Sequence, residues 1–455
     1  MQIHLKQFGV FFLTTVTVFF LVVFISQWIN SGSIEDAFFL ITLLFQNIWQ
    51  PMALIVFSIP YLIFHLLRYY NLLFKNHGVE GFIRKFGMYT VLPLFLLGGT
   101  FSLIWKDHRT ENFHYNWDRT VENLEGFTKA RFEDDQKIRG VHYFSPWRGE
   151  TEHNLEVLVQ NNVEYIVLVP YCYQESHDKP ELRFRNRRRG SVERIDSTYR
   201  RLAAEALRLG LQTIIKPHVW MQADQGFWRS DIDFKSQAEF DVWASQYMDF
   251  ILHFAKISEE IQAPYFCIGA ELSELSKGYP DYWKMLIKEV RKVYGGKLFY
   301  AANWHDEYEH IQFWDELDLI GVQAYFPICP EPNPTVDNLK AGWRPHLTQI
   351  KRFSRRIGKP ILFSEIGYKS TDDAADTPWE WVDGAHGLTK RLSTETQANC
   401  YQAFFEMFWQ ESWFNGALIW QWRAHHDRAG GDSNIDFTPQ NKPAQNVMAK
   451  WFGRE

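Results

Sequence analysis

From Ile138 to the C-terminus the chain repeats one pattern eight times, a short strand-like apolar run followed by an amphipathic stretch of helical period. The strand-like runs fall at 140–144, 165–170, 212–217, 264–269, 297–302, 317–323, 360–364 and 416–421. Helical patterns are clearest at 192–209, 237–261, 282–293, 347–356 and 395–413. Such alternation argues for a parallel sheet with helices outside it. Eight units predict a closed (β/α)8 TIM barrel, an α/β fold whose functional residues gather at the C-terminal ends of the strands. An open doubly wound sheet is the rival. It calls for a Gly-rich phosphate loop after the first strand, and His142-Tyr143-Phe144-Ser145-Pro146-Trp147 stands there instead.

The chain changes character near Lys106. Before it, long apolar runs dominate, and an α-helical transmembrane region of about three helices is expected over 1–105. Residues 8–25 carry only Thr as polar side chains. The run 37–67 reads either as one tilted, kinked helix or as an interfacial piece followed by a span from Pro51. Residues 87–105, softened by Pro93 and Gly98-Gly99, form the third candidate. An uncleaved anchor fits better than a signal peptide, because no small-x-small cleavage site is clear and two more apolar runs follow. Lys6 precedes the first run, and Arg68, Lys75, Arg84 and Lys85 lie between the second and third. This distribution predicts the bilayer as a partner and everything after Trp105 on its outer side. Residues 106–137 read as a connector and 138–455 as the barrel domain.

Composition excludes some classes. The formal net charge of −6 suggests no nucleic-acid partner. Cys172, Cys267, Cys329 and Cys400 are far apart, without CxxC or a completing His, so no zinc site is expected. Cys267 reads as a small core residue, and a disulfide among the other three stays open. His425, His426 and Asp427 resemble metal-ligand material without a further spaced partner, which favours a polar rim loop over a metal site.

Two carboxylates stand out. Glu271 ends the fourth strand-like run and Glu365 the seventh. Alternation puts Cys267, Gly269 and Glu271 on one side, and likewise Ile361, Phe363 and Glu365, so both glutamates are expected to face the barrel axis. Two acids delivered by separate strands to one face are what glycosidic-bond hydrolysis requires. Glu274, one turn on, reads as a helix N-terminal acid. The other strand ends supply Tyr143, Trp147 and Arg148; Tyr171 and Tyr173; Lys216, His218 and Trp220; Asn303 and Trp304; Gln323 and Tyr325; and Trp420, Gln421, Trp422 and Arg423. Rings of this kind stack on pyranose faces, and amides and cations bind hydroxyls.

In Gly140-Val-His-Tyr-Phe, Lys216-Pro-His218, Ile268-Gly-Ala-Glu-Leu272 and Ser364-Glu-Ile-Gly-Tyr368, the region 139–452 resembles the retaining (β/α)8 glycoside hydrolases. Within that clan it is most similar to family 113, associated with endo-β-1,4-mannanase activity. The resemblance implies a retaining glycosidase acting on β-linked, mannan-type polysaccharide by double displacement, with no metal or organic cofactor. Carried over by position, Glu271 matches the acid/base and Glu365 the nucleophile. Tyr325 matches the tyrosine beside the nucleophile, and Trp420 or Trp422 the aromatic floor of the sugar site. Ala270 stands where most clan members have Asn, so the contact to the sugar 2-hydroxyl is expected from Asn303 or His218.

Two other readings remain: a silent glycan-binding or surface-assembly barrel, and a transglycosylase or exo-glycosidase acting on a cell-surface glycan. The run Arg183, Arg185, Arg187, Arg188 and Arg189 after the second strand reads as a solvated loop, with an anionic glycan or lipid headgroup as the sharper alternative.

Overall fold

The computed structural model describes residues 49–93, 95–96, 98–99, 136–144, 155–184, 192–222, 226–381 and 390–453. The chain divides into two compact units, Met1–Trp105 and Lys106–Glu455.

In the first unit a helix runs over Trp49–Phe86, broken by non-helical backbone at Gly78, and a π-helical turn Gly87–Val91 follows. The helix passes through the stretch expected as a loop between two spans, and so carries Arg68, Lys75, Arg84 and Lys85 within it. Among the described residues no helix is long and apolar enough to cross a membrane. The expected spans at 37–67 and 87–105 are therefore not supported where they are described. The run 8–25, most of the connector and the side chain of Trp147 lie outside the described residues.

The second unit is built on eight strands: β1 (Ile138–Phe144), β2 (Tyr165–Leu168), β3 (Gln212–Ile215), β4 (Tyr265–Ala270), β5 (Lys297–Asn303), β6 (Leu319–Gln323), β7 (Ile361–Ile366) and β8 (Phe414–Arg423). Each pairs in parallel with the next, and β8 pairs with β1 to close the barrel. Closure excludes the doubly wound alternative.

The core has two layers. Ile138, Val167, Ile214, Cys267, Phe299, Leu319, Leu362 and Leu418 fill the lumen. A larger layer, including Val141, Tyr247, Trp283, Phe363, Phe404 and Phe408, lies between strands and helices. The helix Gln237–Glu260 shows why the pattern reads so clearly. Ser236 accepts from the Glu239 amide while Glu239 reaches back to the Ser236 amide, and Phe240, Trp243, Tyr247, Phe250, Ile251 and Phe254 form its buried stripe.

Two helices differ from expectation. Val336–Ile357 begins well before residue 347 because a Thr335–Asn338 capping pair starts it, and buried Leu339, Trp343, Ile350 and Phe353 anchor it on both sides of Pro345. Thr394–Phe408 stops short of residue 413, since β8 already begins at Phe414. A three-stranded sheet was not expected either. Tyr171–Gln174 pairs in parallel with His218–Met221 and antiparallel with Leu182–Arg183, extending the chain just beyond β2 and β3.

All four cysteines are free and buried.

Candidate active site

Strand parity near the two glutamates is not simple. On β4, Cys267 pairs with Phe299 and Ala270 with Ala301, so three steps on β4 match two on β5. Cys267 and Ala270 both line the lumen. Gly269 turns outward, where a Cβ would come within 2.9 Å of both the Tyr247 hydroxyl and the Tyr300 ring. Glu271 follows at φ 54, a left-handed conformation costly for a residue with a Cβ. On β7, Phe363 pairs with Val322 and Glu365 with Gln323, two steps against one. Leu362 faces the lumen, whereas Ile361 and Phe363 pack in the outer layer. Plain alternation therefore misplaces Gly269, Ile361 and Phe363. An irregularity at each strand end re-aims the carboxylates.

Glu365 sits among donors from the ends of two other strands, β3 and β6. Lys216, just after β3, donates to its Oε2 at 2.7 Å, and Gln323 Nε2 of β6 to the same oxygen at 2.9 Å. The Tyr325 hydroxyl donates to Oε1 at 2.6 Å. Lys216 also donates to Gln323 Oε1 at 2.9 Å and lies 3.2 Å from His142 Nε2. His142 Nδ1 meets the Ile419 carbonyl at 3.3 Å. This assigns the proton to Nδ1 and leaves Nε2 to accept from Lys216. Burial and then Lys216 hold His142 down at about 3, so it is neutral. Its 3.9 Å approach to Glu365 is thus no ion pair, and Lys216 is the cation of the cluster. Burial alone would raise the Glu365 carboxyl, but Lys216 and the donated hydrogen bonds bring it down to about 2.

Among the described residues Glu271 meets a thinner set of partners. Trp228 Nε1 donates to its Oε2 at 3.1 Å, and Arg229 Nε stands 3.7 Å from the same oxygen. Burial raises this carboxyl, Arg229 and Trp228 only partly oppose it, and the Glu365 charge adds to the rise. One carboxyl is held ionised and the other is driven towards its protonated form. Both keep some exposure (Glu271 8 %, Glu365 6 %), whereas Lys216 has none, so the acids are reachable and Lys216 serves Glu365 rather than a substrate.

The remaining expected residues divide. His218 Nδ1 pairs with Arg229 Nη1 at 2.8 Å, and its buried Nε2 has no partner among the described residues. Trp220 is exposed and packs edge-on against Tyr171 and Trp228. Trp304 stacks on Trp379, and its neighbour Asn303 accepts from the His305 amide. Trp420 is buried beside Tyr325 and Phe437, with its ring centroid 5.1 Å from that of His142 and 5.9 Å from that of Trp381.

Two expectations are corrected. Tyr143 packs in the outer layer, because parity on β1 sends His142 into the lumen and Tyr143 towards the helices. Trp422 likewise lies in the outer layer, stacked on His426. Glu274 pairs with Lys277 at 3.0 Å. Arg183 pairs with Glu175 at 3.6 Å, and Arg185, Arg187, Arg188 and Arg189 lie outside the described residues. No group of side chains suited to a metal ion occurs among the described residues.

Sequence reasoning passed over Trp228 and Arg229, in the loop after β3, and undervalued His142. Parity would have found His142. No spacing signal marks the other two, which reach Glu271 only through folding.

The family model for glycoside hydrolase family 113 matches residues 144–442. Among solved structures, a GH113 β-1,4-mannanase is 26% identical at a TM-score of 0.60, covering 70% of this chain and 100% of that one. A complex structure of GH113 β-1,4-mannanase is 27% identical at 0.59, with 70% and 99% covered. The GH113 β-mannanase AaManA from Alicyclobacillus acidocaldarius, in complex with ManMIm, is similar in fold at 24% identity and a TM-score of 0.58, with 70% and 97% covered. No curated protein matches the chain.

Proposed function

This chain belongs to glycoside hydrolase family 113, and on that premise we propose that it cleaves β-linked, mannan-type polysaccharide by double displacement, with Glu365 as nucleophile and Glu271 as acid/base. The observation that carries the reading is the opposite electrostatic setting of the two carboxyls. Glu365, ionised down to about 2, is a poor base for activating water but a competent nucleophile. Glu271, with its carboxyl raised, retains a proton to give to the leaving oxygen.

In the first step a Glu365 oxygen bonds to the anomeric carbon while the glycosidic C–O bond breaks, and the leaving oxygen takes the proton from Glu271. In the second, Glu271 removes a proton from water as that water attacks the same carbon and releases Glu365. The Tyr325 hydroxyl and Lys216 hold the nucleophile in place throughout. With Ala270 before the acid/base and the Asn303 Oδ1 engaged by His305, the unpartnered Nε2–H of His218 is the donor offered to the sugar hydroxyl next to the anomeric carbon. Trp420 provides an aromatic wall, and exposed Trp220 a further stacking surface.

Proton NMR of mannooligosaccharide cleavage tests this directly. The first-formed product should be the β-anomer. Azide should restore turnover to Glu365→Ala as the α-glycosyl azide and to Glu271→Ala as the β-glycosyl azide. An α-anomer released first, or both variants as active as the parent, would end the reading.

Localisation is a separate proposal. Residues 8–25, with Lys6 before them, support a membrane anchor with the barrel on the outer side. The exposed apolar side chains of Phe64, Leu67 and Ile83 add support for a lipid contact. Protease added to intact spheroplasts should cut the barrel unit; protection until lysis would refute this topology.

A further inference from the structure

Behind Glu271 lies another buried carboxyl that takes no part in the chemistry above. Glu307, in the turn after β5, is fully shielded from solvent. Its Oε1 accepts from the Tyr300 hydroxyl at 2.6 Å and from Ser276 Oγ at 2.8 Å, and its Oε2 from the Asn303 amide at 2.6 Å. The Tyr300 oxygen in turn accepts from the Leu272 amide at 2.8 Å. Tyrosine has one hydroxyl proton, and the short contact commits it to Glu307.

Leu272 directly follows Glu271, whose own amide donates to the Ala301 carbonyl at 2.9 Å. The β5 segment therefore grips the peptide groups on both sides of the residue with φ 54. A left-handed conformation at a residue other than glycine costs roughly 1–3 kcal/mol and persists only where its surroundings hold it. Glu307 is the end of the chain of bonds that does so.

Among the described residues the charged neighbours are few. Lys277, on the adjoining helix Ser273–Gly278, points its ammonium at Glu274 and Asp306, at 3.0 and 3.1 Å. Asp306 is exposed beside His305 and His310, and Glu271 is the acid that acts on Glu307 from β4. Burial pushes the Glu307 carboxyl up to about 7 against the pull of its three donors.

We propose that Glu307 is a positioning residue for the proton donor, fixing the Tyr300 hydroxyl under the Leu272 amide so that Glu271 stays turned into the cleft. This rests on Glu271 being the acid/base, and the step at risk is protonation of the leaving group.

The test compares a dinitrophenyl β-mannobioside, whose leaving group needs no proton, with a methyl β-mannobioside, whose leaving group does. Glu307→Gln should lose about tenfold or more in kcat/KM on the methyl glycoside and less than about threefold on the dinitrophenyl one, in keeping with the usual scale of acid catalysis. The basic limb of its pH profile should also move to lower pH, because removing the Glu307 charge relieves Glu271 of a like charge. Tyr300→Phe, which deletes the linking hydroxyl, should reproduce the selectivity and covers the case in which Glu307→Gln does not fold. Equal losses on both substrates, or none on either, in a folded variant would overturn the proposal. Glu271→Ala is the control for the underlying reading. If it shows no leaving-group selectivity, that reading fails; if it does and the Glu307 and Tyr300 variants do not, only the present inference fails.

Discussion

Lys216 Nζ lies 2.7 Å from Glu365 Oε2, joining the end of β3 to the end of β7 across the lumen. The two strands stand opposite one another in the closed order of the barrel. Lys216 is fully buried, and its other contacts, Gln323 and His142, are neutral. Glu365 in turn has Lys216 as its cation.

Replacing Lys216 with Met should therefore damage the nucleophile more than the fold. Removing one member of a buried pair costs on the order of 3–5 kcal/mol, which Glu365 avoids in part by taking up a proton. The acid limb of the kcat/KM profile should move upward, and activity below about pH 5 should fall by roughly a hundredfold or more. A pH–rate series on both proteins measures it. An unmoved acid limb would mean that Lys216 does not set the Glu365 charge.

Arg229 acts in the same sense on the other carboxyl, but less strongly than burial. Its guanidinium favours ionised Glu271, so Arg229→Met should raise that carboxyl further and carry the basic limb to higher pH. The same change removes the partner of His218 Nδ1, and KM should rise as the imidazole loses its orientation. A basic limb that moves to lower pH would show that Arg229 does not favour ionised Glu271.

Stability should depend on pH through Glu365. Its folded carboxyl, at about 2, lies below the ordinary value of 4.5, so its contribution is fully present above 4.5 and is lost as pH falls towards 2. The shift corresponds to about 3 kcal/mol. Unfolding curves between about pH 2 and 5 should show this slope in the parent and lose it in Glu365→Gln. Parallel curves would remove the linkage.

Gly269→Ala should destabilise the barrel. The new Cβ would stand 2.9 Å from the Tyr247 hydroxyl and the Tyr300 ring and 3.0 Å from Trp283. These rings are buried and packed, so the cost should be about 1–3 kcal/mol, visible as a lower Tm by calorimetry. An unchanged Tm would show that the aromatic layer yields more readily than its packing suggests.

Much of the barrel was legible because its signals are local. The apolar runs ending at Glu271 and Glu365 announce strands by composition and length, and the helical apolar period over 237–261 announces a helix. What failed also has a local cause. Period-two alternation carries a residue's facing correctly only until one extra residue enters the strand, which happens just before both glutamates. It also had to be applied to the right member of His142-Tyr143. Trp228 and Arg229 sit in a loop whose path is set by the pairing of His218–Met221 with Tyr171–Gln174, a contact between segments distant in sequence.

Taken alone, the order of residues determined that eight parallel strands would form and that an acid would stand at the mouths of the fourth and the seventh, since hydrophobic periodicity acts over a few residues. The assembled barrel decided the rest: that Lys216 and Tyr325 surround one carboxyl, that Trp228 and Arg229 meet the other, and that Tyr143 and Trp422 face the helices. Those outcomes depend on register, desolvation and Coulomb interaction between groups up to 149 positions apart, as for Lys216 and Glu365.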